Sequence, residues 1–189
     1  TNSYSDVEEM LGEWEFEYSI SSTDYIEYYV FNDIRQDTET GRYYAYGYKK
    51  GEESSSSGYQ SYGTNHTAVA TYFESEDMYT VLWLSPDIAR YGSYFEFNFT
   101  STNIVSGYFY LISDGELDSA DPMDGYRTST NISTLNIKND ISTSSYSKLI
   151  KEINEKHNES TEISSQSIIM NDEVKLEIKN KAFQNKSKK

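Results

Sequence analysis

The chain has 189 residues, with 31 acidic and 16 basic side chains and a net charge of −15 at neutral pH. This charge argues against nucleic acid as a partner, because a phosphate backbone requires positive charge, and the lack of cysteine excludes disulfides and thiolate metal sites. Hydrophobic residues make up only 36 % of the chain, yet 19 residues are tyrosine. Such a composition favours broad sheet surfaces partly exposed to water over a dense aliphatic core.

The charge is unevenly distributed along the chain. Residues 1–140 carry 7 basic and 24 acidic side chains, a net −17, whereas residues 141–189 carry 9 and 7, a net +2. We therefore predict an acidic domain over 1–140 and an extension with a basic tail over 141–189. The chain starts at Thr1 without methionine and has no apolar run near the ~20 residues of a membrane span. We expect a processed N-terminus, no transmembrane segment, and a secreted, periplasmic or envelope-attached protein.

The N-terminal stretch predicts a short helical turn followed by a long strand. Ser5 or Asp6 is a plausible helix N-cap, and Gly12 ends the turn. Apolar side chains then alternate with acidic or hydroxyl side chains from Leu11 to Ile20. This period of two is typical of a strand that packs one face on a core and turns the other to water.

Six more short strands follow at regular spacing. They are predicted over Tyr25–Asp33, Arg42–Gly51, His66–Glu74, Met78–Ser85, Ser93–Ser101 and Ile104–Ser113. The Ser- and Gly-rich residues 52–65 predict a flexible loop. Seven strands joined mostly by tight turns indicate a mainly β protein, an antiparallel up-and-down meander that closes into a barrel or packs as a β-sandwich.

The pattern changes after residue 113. Residues 113–128 read as an acidic loop, and Ile132–Lys138 is a candidate further strand. Apolar residues at helical spacing predict an amphipathic helix over Tyr146–His157. Val174, Leu176 and Ile178 alternate at period two and predict a last short strand.

The helical turn, the Gly12-x-Trp14 pair and the alternating strand that opens a meander resemble the lipocalins and the wider calycins. This resemblance implies an eight-stranded barrel whose closed end is plugged by the Trp14 ring, so Ile132–Lys138 or another segment has to supply the eighth strand. It also implies an arginine stacked on that ring, for which Arg127 is the nearest candidate. The predicted helix Tyr146–His157 would be the helix that follows the barrel in this family.

Aromatic residues are the candidates for ligand binding. They have two interpretations: they fill the interior of a small barrel, or they line a mouth that holds an apolar or ring-bearing molecule. The candidate binding residues are Tyr18, Tyr28, Tyr44, Tyr46, Tyr48, Tyr72, Trp83 and Phe97. Between the tyrosines of the third strand, Ala45 and Gly47 are small enough to leave space.

The acidic loop is the candidate metal site. Five carboxylates lie within eleven residues between Asp114 and Asp124, and calcium prefers several oxygen ligands on a turning loop. Asp114, Glu116 and Asp118 are the candidate ligands. The alternative is a solvated acidic loop with no metal, because the spacing differs from that of an EF-hand.

No catalytic motif stands out, since the two histidines, His66 and His157, are far apart and no nucleophile elbow or phosphate loop occurs. We therefore predict a non-enzymatic, exported, lipocalin-like protein that binds a small hydrophobic or amphipathic molecule without a cofactor. One alternative is an interaction module of an envelope or surface assembly, which docks or self-associates through residues 141–189. A hydrolase or isomerase that uses paired carboxylates in the barrel is the other.

Overall fold

The computed structural model describes residues 2–37, 41–88, 90–118 and 120–131. Within these ranges the chain forms one short helix, α1 (Tyr4–Glu8), and ten strands. The strands are β1 (Gly12–Ile20), β2 (Thr23–Gln36), β3 (Tyr43–Ser54), β4 (Gly58–Ser61), β5 (Thr67–Phe73), β6 (Met78–Leu84), β7 (Gly92–Ser101), β8 (Ile104–Ser113), β9 (Glu116–Leu117) and β10 (Asp121–Ser129). No helix among the described residues is long and apolar enough to cross a membrane.

Eight of the strands close into an antiparallel barrel. The order is β1, β2, β3, β5, β6, β7, β8 and β10, and β10 pairs with both β8 and β1. This double pairing leaves the barrel without an unpaired edge. Strands β4 and β9 are short arms that pair with β3 and β8. The prediction of a mainly β, antiparallel meander is confirmed, and the chain forms a closed barrel rather than a sandwich.

The eighth barrel strand is β10, all of which except its last residue, Ser129, lies in the stretch that the sequence predicted as an acidic loop. That loop prediction is wrong because Asp, Pro and Gly disfavour strands on average, whereas pairing with neighbours on both sides overrides the preference. Pro122 is tolerated because it pairs only with β8, beyond Met123, where the pairing with β1 ends. Gly125 is required because a Cβ there would lie 2.6 Å from the Phe16 ring.

Two predictions in the first half of the chain also need correction. The N-cap of α1 is Ser3, not Ser5 or Asp6, and it forms a capping box with Asp6. Residues 52–65 are not a loop throughout, because β3 continues to Ser54 and turns into β4. The helix predicted over Tyr146–His157, the strands predicted over Ile132–Lys138 and Val174–Ile178, and the boundary near residue 140 all lie outside the described residues.

The barrel interior is a packed core of aromatic rings. They belong to Trp14, Phe16, Tyr18, Tyr29, Phe31, Tyr79, Phe95, Phe97 and Phe109, all buried. The Phe16 and Phe95 ring centroids are 4.8 Å apart, and those of Tyr18 and Phe109 are 3.7 Å apart. Val7 and Met10, from the α1 segment, join this core at the end of the barrel where β1 begins, which we call the closed end.

A second apolar cluster involves the outward-facing residues of β3 and β5 to β9. Its buried members are Tyr44, Val69, Phe73, Leu82, Tyr94, Ile112 and Leu117. Strands β5 and β6 are therefore buried on both faces, in contrast to β1, whose outward side chains are half-buried or exposed. The simple separation of rings inside from polar residues outside holds for β1 but not for this side of the barrel.

Gly47 does not leave space for a ligand, contrary to the sequence interpretation. A Cβ at this position would overlap the carbonyl oxygen of Val30, because the β2 backbone approaches β3 closely beside a bulge between Phe31 and Asp33. The small residue therefore permits strand packing.

Replacing Gly47 by alanine should strain the β2–β3 pair, because the new methyl group meets backbone and not a movable side chain. We expect Gly47→Ala to lower the free energy of unfolding by about 3 kcal/mol. Urea denaturation followed by far-UV circular dichroism measures this loss. Gly63→Ala is the matched control, since Gly63 is exposed and its Cβ would meet only the Asn65 side chain, at 3.0 Å. Equal stability of the two variants would contradict the packing argument.

Candidate functional site

Trp14 and Arg127 seal the closed end of the barrel. The Trp14 indole is 1 % exposed, and its N–H donates to the Met10 carbonyl at 2.9 Å. The guanidinium carbon of Arg127 lies 4.7 Å from the Trp14 ring centroid, and its Nη1 donates to the Leu11 carbonyl at 2.7 Å. Gly12 has φ +131°, where a Cβ would lie 2.5 Å from the Ser129 carbonyl. These contacts close this end of the barrel, and we call the opposite end the open end.

A buried ion pair spans the middle of the barrel. The Lys49 ammonium lies 2.7 Å from Glu27 Oε1, and the two side chains are 1 % and 0 % exposed. Glu27 also accepts hydrogen bonds from the hydroxyls of Tyr18, Tyr29 and Ser93, at 2.5, 2.8 and 2.8 Å. Burial, together with the Glu27 charge, raises the pKa of both tyrosines well above 10. Both hydroxyls thus remain protonated donors to the carboxylate.

Lys49 connects this pair to aromatic residues nearer the open end. Its ammonium lies 3.8 Å from the Trp83 ring centroid and 5.3 Å from that of Tyr62. It also lies 3.6 Å from Glu52 Oε2. Contacts of a cation with ring faces are electrostatically favourable, and more so when water is excluded. The lysine therefore holds Trp83, Tyr62 and Glu52 together at one end of the core.

A cavity of about 390 Å³ lies at the open end, next to these residues. Its volume is in the range of small-molecule sites. It is lined by Tyr25, Glu52, Ser54, Ser57, Gly58, Gln60, Tyr62, His66, Trp83, Ser85, Asp87, Ile88 and Tyr91. Most of these residues come from strand ends and from the segments before β5 and after β6. On β4, Gly58 and Gln60 line the cavity while Tyr59 and Ser61 do not, as the alternation of a strand requires.

Three nearly parallel rings form one wall of the cavity. The His66 ring centroid lies 4.5 Å from that of Tyr62 and 5.9 Å from that of Trp83, with interplanar angles of 15° and 12°. Trp83 Nε1 and His66 Nδ1 are buried without a hydrogen-bond partner. Buried polar atoms are seldom left unpaired in proteins. Two unmet hydrogen bonds therefore lie in this wall.

The charges at the cavity are negative. Among the residues that the structure describes, Glu52 and Asp87 line it, and no lysine or arginine does. Burial lowers the pKa of His66 below its usual value of 6.5, although Asp87 Oδ2, 4.0 Å from Nε2, acts in the opposite direction. The imidazole is consequently neutral at pH 7. The cavity thus combines aromatic faces, hydroxyl groups and two carboxylates.

The candidate ligand residues are not gathered at one place. Trp83 lines the cavity, whereas Tyr18 and Phe97 lie in the packed core below it. Four of the tyrosines lie on the outer side of the barrel: Tyr28, Tyr44, Tyr46 and Tyr48. Tyr72 packs beside Tyr79 toward the closed end, and its hydroxyl donates to Asp77 at 2.7 Å.

Sequence reasoning missed most of the cavity residues because they lie in segments read as loops. Tyr62 lies in the predicted loop over residues 52–65, and Asp87 and Tyr91 follow β6; His66, predicted to begin a strand, precedes β5. One signal was available: Glu27 falls in phase with the inward-facing Tyr25 and Tyr29. A charge in an inward position marks a polar centre inside the barrel.

The candidate metal ligands follow the last residue of β8, at the open end of the barrel. Asp114 lies in the turn between β8 and β9, where its carbonyl accepts from Arg90 Nη2 at 2.6 Å. Glu116 begins β9 and is exposed, whereas Asp118 is 2 % exposed. In the part of the chain that the structure describes, no three His, Asp or Glu side chains form a group that could hold a metal ion.

Comparison of the chain with protein-family models, curated proteins and solved structures gives no match to any of them.

Breaking the central ion pair should destabilise the barrel, because a buried charge would lose its partner. We expect Lys49→Met to lower the free energy of unfolding by about 3 kcal/mol, and the double variant Glu27→Gln/Lys49→Met to recover much of that loss. Lys50→Met is the control, since Lys50 is exposed and 3.8 Å from Glu13. Urea denaturation of the unmodified protein and of these three variants measures the free energies of unfolding. A loss for Lys50→Met as large as that for Lys49→Met would contradict the assigned role.

The lowered pKa of His66 predicts a stability loss in mild acid. The unfolded chain binds a proton at the usual histidine pKa near 6.5, whereas the folded chain binds it only at lower pH. Stability therefore falls as the pH drops through about 6.5 and levels off below the folded pKa. Proton NMR titration, with His66→Gln to assign the signal, measures the folded value. A His66 midpoint above 6.5 would contradict the prediction.

Proposed function

We propose that this protein is a lipocalin-like binder of a small amphipathic molecule, held at the open end of the barrel. The cavity of about 390 Å³ carries the proposal. The closed eight-stranded meander and the contacts among Gly12, Trp14 and Arg127 at the closed end support the lipocalin-like assignment. Export to the periplasm, envelope or exterior stays a prediction from the sequence.

The packed rings beneath the cavity favour a compact ligand over a long hydrocarbon chain. Below Lys49, the interior is filled by buried rings, including Phe16, Phe95 and Phe97. A long acyl chain would have to displace this packing, and interiors of this density resist such insertion. The ligand we propose is therefore a short, ring-bearing molecule that stays above the ion pair.

The lining favours an amphipathic ligand over a purely hydrophobic one. Tyr62, Trp83 and Ile88 offer apolar contact, while serines, Gln60 and the two carboxylates offer hydrogen bonds. Sites of this kind obtain affinity from apolar contact and orientation from a few polar groups. We propose binding without catalysis. The buried carboxylate of Glu27 does not line the cavity, and both its oxygens already accept hydrogen bonds.

A neutral fluorescent dye tests this function. N-phenyl-1-naphthylamine has an apolar ring system and brightens on leaving water. We expect saturable binding of one dye per chain. Gln60→Trp places an indole in the cavity mouth and should weaken binding about tenfold or more.

Ser61→Trp is the matched control, because Ser61 is the next residue on β4 and does not line the cavity. It should bind the dye as the unmodified protein does. Equal weakening by both variants would contradict the assigned location. If the unmodified protein shows no saturable binding, the proposal fails, and the interaction module becomes the better hypothesis.

A further inference from the structure

We propose that the cavity selects arylalkylamines, ligands in which an aromatic ring carries a short arm with a protonated amine. This inference rests on the proposed function, since it names the chemical class that the same site takes. Three features carry it: the sign of the charge at the cavity, the aromatic lining, and the unmet acceptor His66 Nδ1 in the wall.

The charge around the cavity disfavours acidic ligands and favours cationic ones. Lys49, whose ammonium contacts the ring of the lining residue Trp83, lies 2.7 Å from Glu27 and 3.6 Å from Glu52. These three groups together carry one net negative charge, and Asp87 on the rim adds a second. A ligand carboxylate would face like charge, and none of the described lining residues is a lysine or arginine that could pair with it. A ligand ammonium would face two carboxylates of opposite charge.

The aromatic wall is suited to both parts of such a ligand. The rings of Tyr62, His66 and Trp83 stack on one another and line the cavity, where they offer aromatic contact to a ligand ring. Lys49 shows that this cluster accommodates an ammonium group, because its nitrogen already lies 3.8 Å from the Trp83 centroid. Tyr25 and Tyr91 add two more rings to the lining. Aromatic walls with nearby carboxylates are a known means of binding ammonium ligands.

The unmet acceptor in the wall favours a ligand that donates a hydrogen bond over a plain hydrocarbon. With the imidazole proton on Nε2, the side of Asp87, the Nδ1 atom of His66 is an acceptor without a partner. An ammonium N–H is a donor of the type that this atom lacks. The neutral state of His66, which follows from its burial, also avoids a repulsive charge beside the bound amine.

Three competitors of matched shape test the inference. They are 2-(1-naphthyl)ethylamine, 2-(1-naphthyl)ethanol and 3-(1-naphthyl)propionate, each used to displace N-phenyl-1-naphthylamine at pH 7. We expect the amine to bind about tenfold more tightly than the alcohol and the acid to bind most weakly. Added salt should weaken the amine but not the alcohol, because salt screens charges.

Asp87→Asn identifies the source of the preference. The Asp87 side chain is 66 % exposed, so we expect the variant to fold, and a thermal melt checks this. Affinity for the amine should fall about threefold, since the carboxylate is at the rim and partly screened by water, while affinity for the alcohol stays the same. Glu52→Gln should lower the affinity for the amine more than Asp87→Asn does. Glu8→Gln is the control, because it removes one charge from the exposed surface of α1.

The outcomes separate this inference from the proposed function. If the dye binds but the three competitors displace it equally, or the acid displaces it best, the amine preference is wrong and the binding function stands. If calorimetry detects no binding of the dye or of any competitor, both proposals fail. If Glu8→Gln weakens amine binding as much as Asp87→Asn does, the preference comes from overall charge, and the assigned site is wrong.

Discussion

The carboxylate of Glu27 and the ammonium of Lys49 meet at 2.7 Å in the middle of the barrel, both shielded from water. Removing two such charges from water costs several kcal/mol each unless their remaining hydrogen-bonding capacity is met. Tyr18, Tyr29 and Ser93 satisfy the carboxylate, and Trp83 lies against the ammonium. These residues come from β1, β2, β3, β6 and β7. The pair and its partners therefore favour one register in five strands, because a slip of one residue in any of them would turn one of these side chains out of the barrel.

This polar centre divides the barrel into two parts with different properties. Toward the closed end the interior is solid, with rings such as Phe16 and Phe95 in direct contact and Trp14 beneath Arg127. Toward the open end the strands and their connections enclose a cavity with hydroxyl and carboxylate groups. The abundance of tyrosine fits this division, since a tyrosine fills the core with its ring and bonds Glu27 with its hydroxyl. A small chain obtains both a rigid base and a polar mouth in this way.

Close backbone approach is a second constraint on the barrel. Gly47 and Gly125 lie where a side chain would collide with β2 or with the Phe16 ring. In β3, Gly47 was predicted to leave an empty space, but it instead allows the Val30 backbone to approach closely. The cavity is therefore created by the strand ends and the connections at the open end, and not by small residues within the wall.

The sequence by itself determined seven of the strands, β1–β3 and β5–β8, because alternation along β1 and the breaks between β1 and β8 are local signals that need no partner. It also identified Gly12, Trp14 and Arg127 as residues to examine at one end of the barrel. Only the tertiary structure decided that β10 closes the barrel, since a segment rich in Asp, Pro and Gly becomes a strand only when β1 and β8 pair with it. It also decided that Glu27 is buried while Glu17 is exposed, because burial depends on which face meets the core. The tertiary structure also decided where the cavity lies, because its lining comes from segments distant in sequence that come together only when the barrel closes.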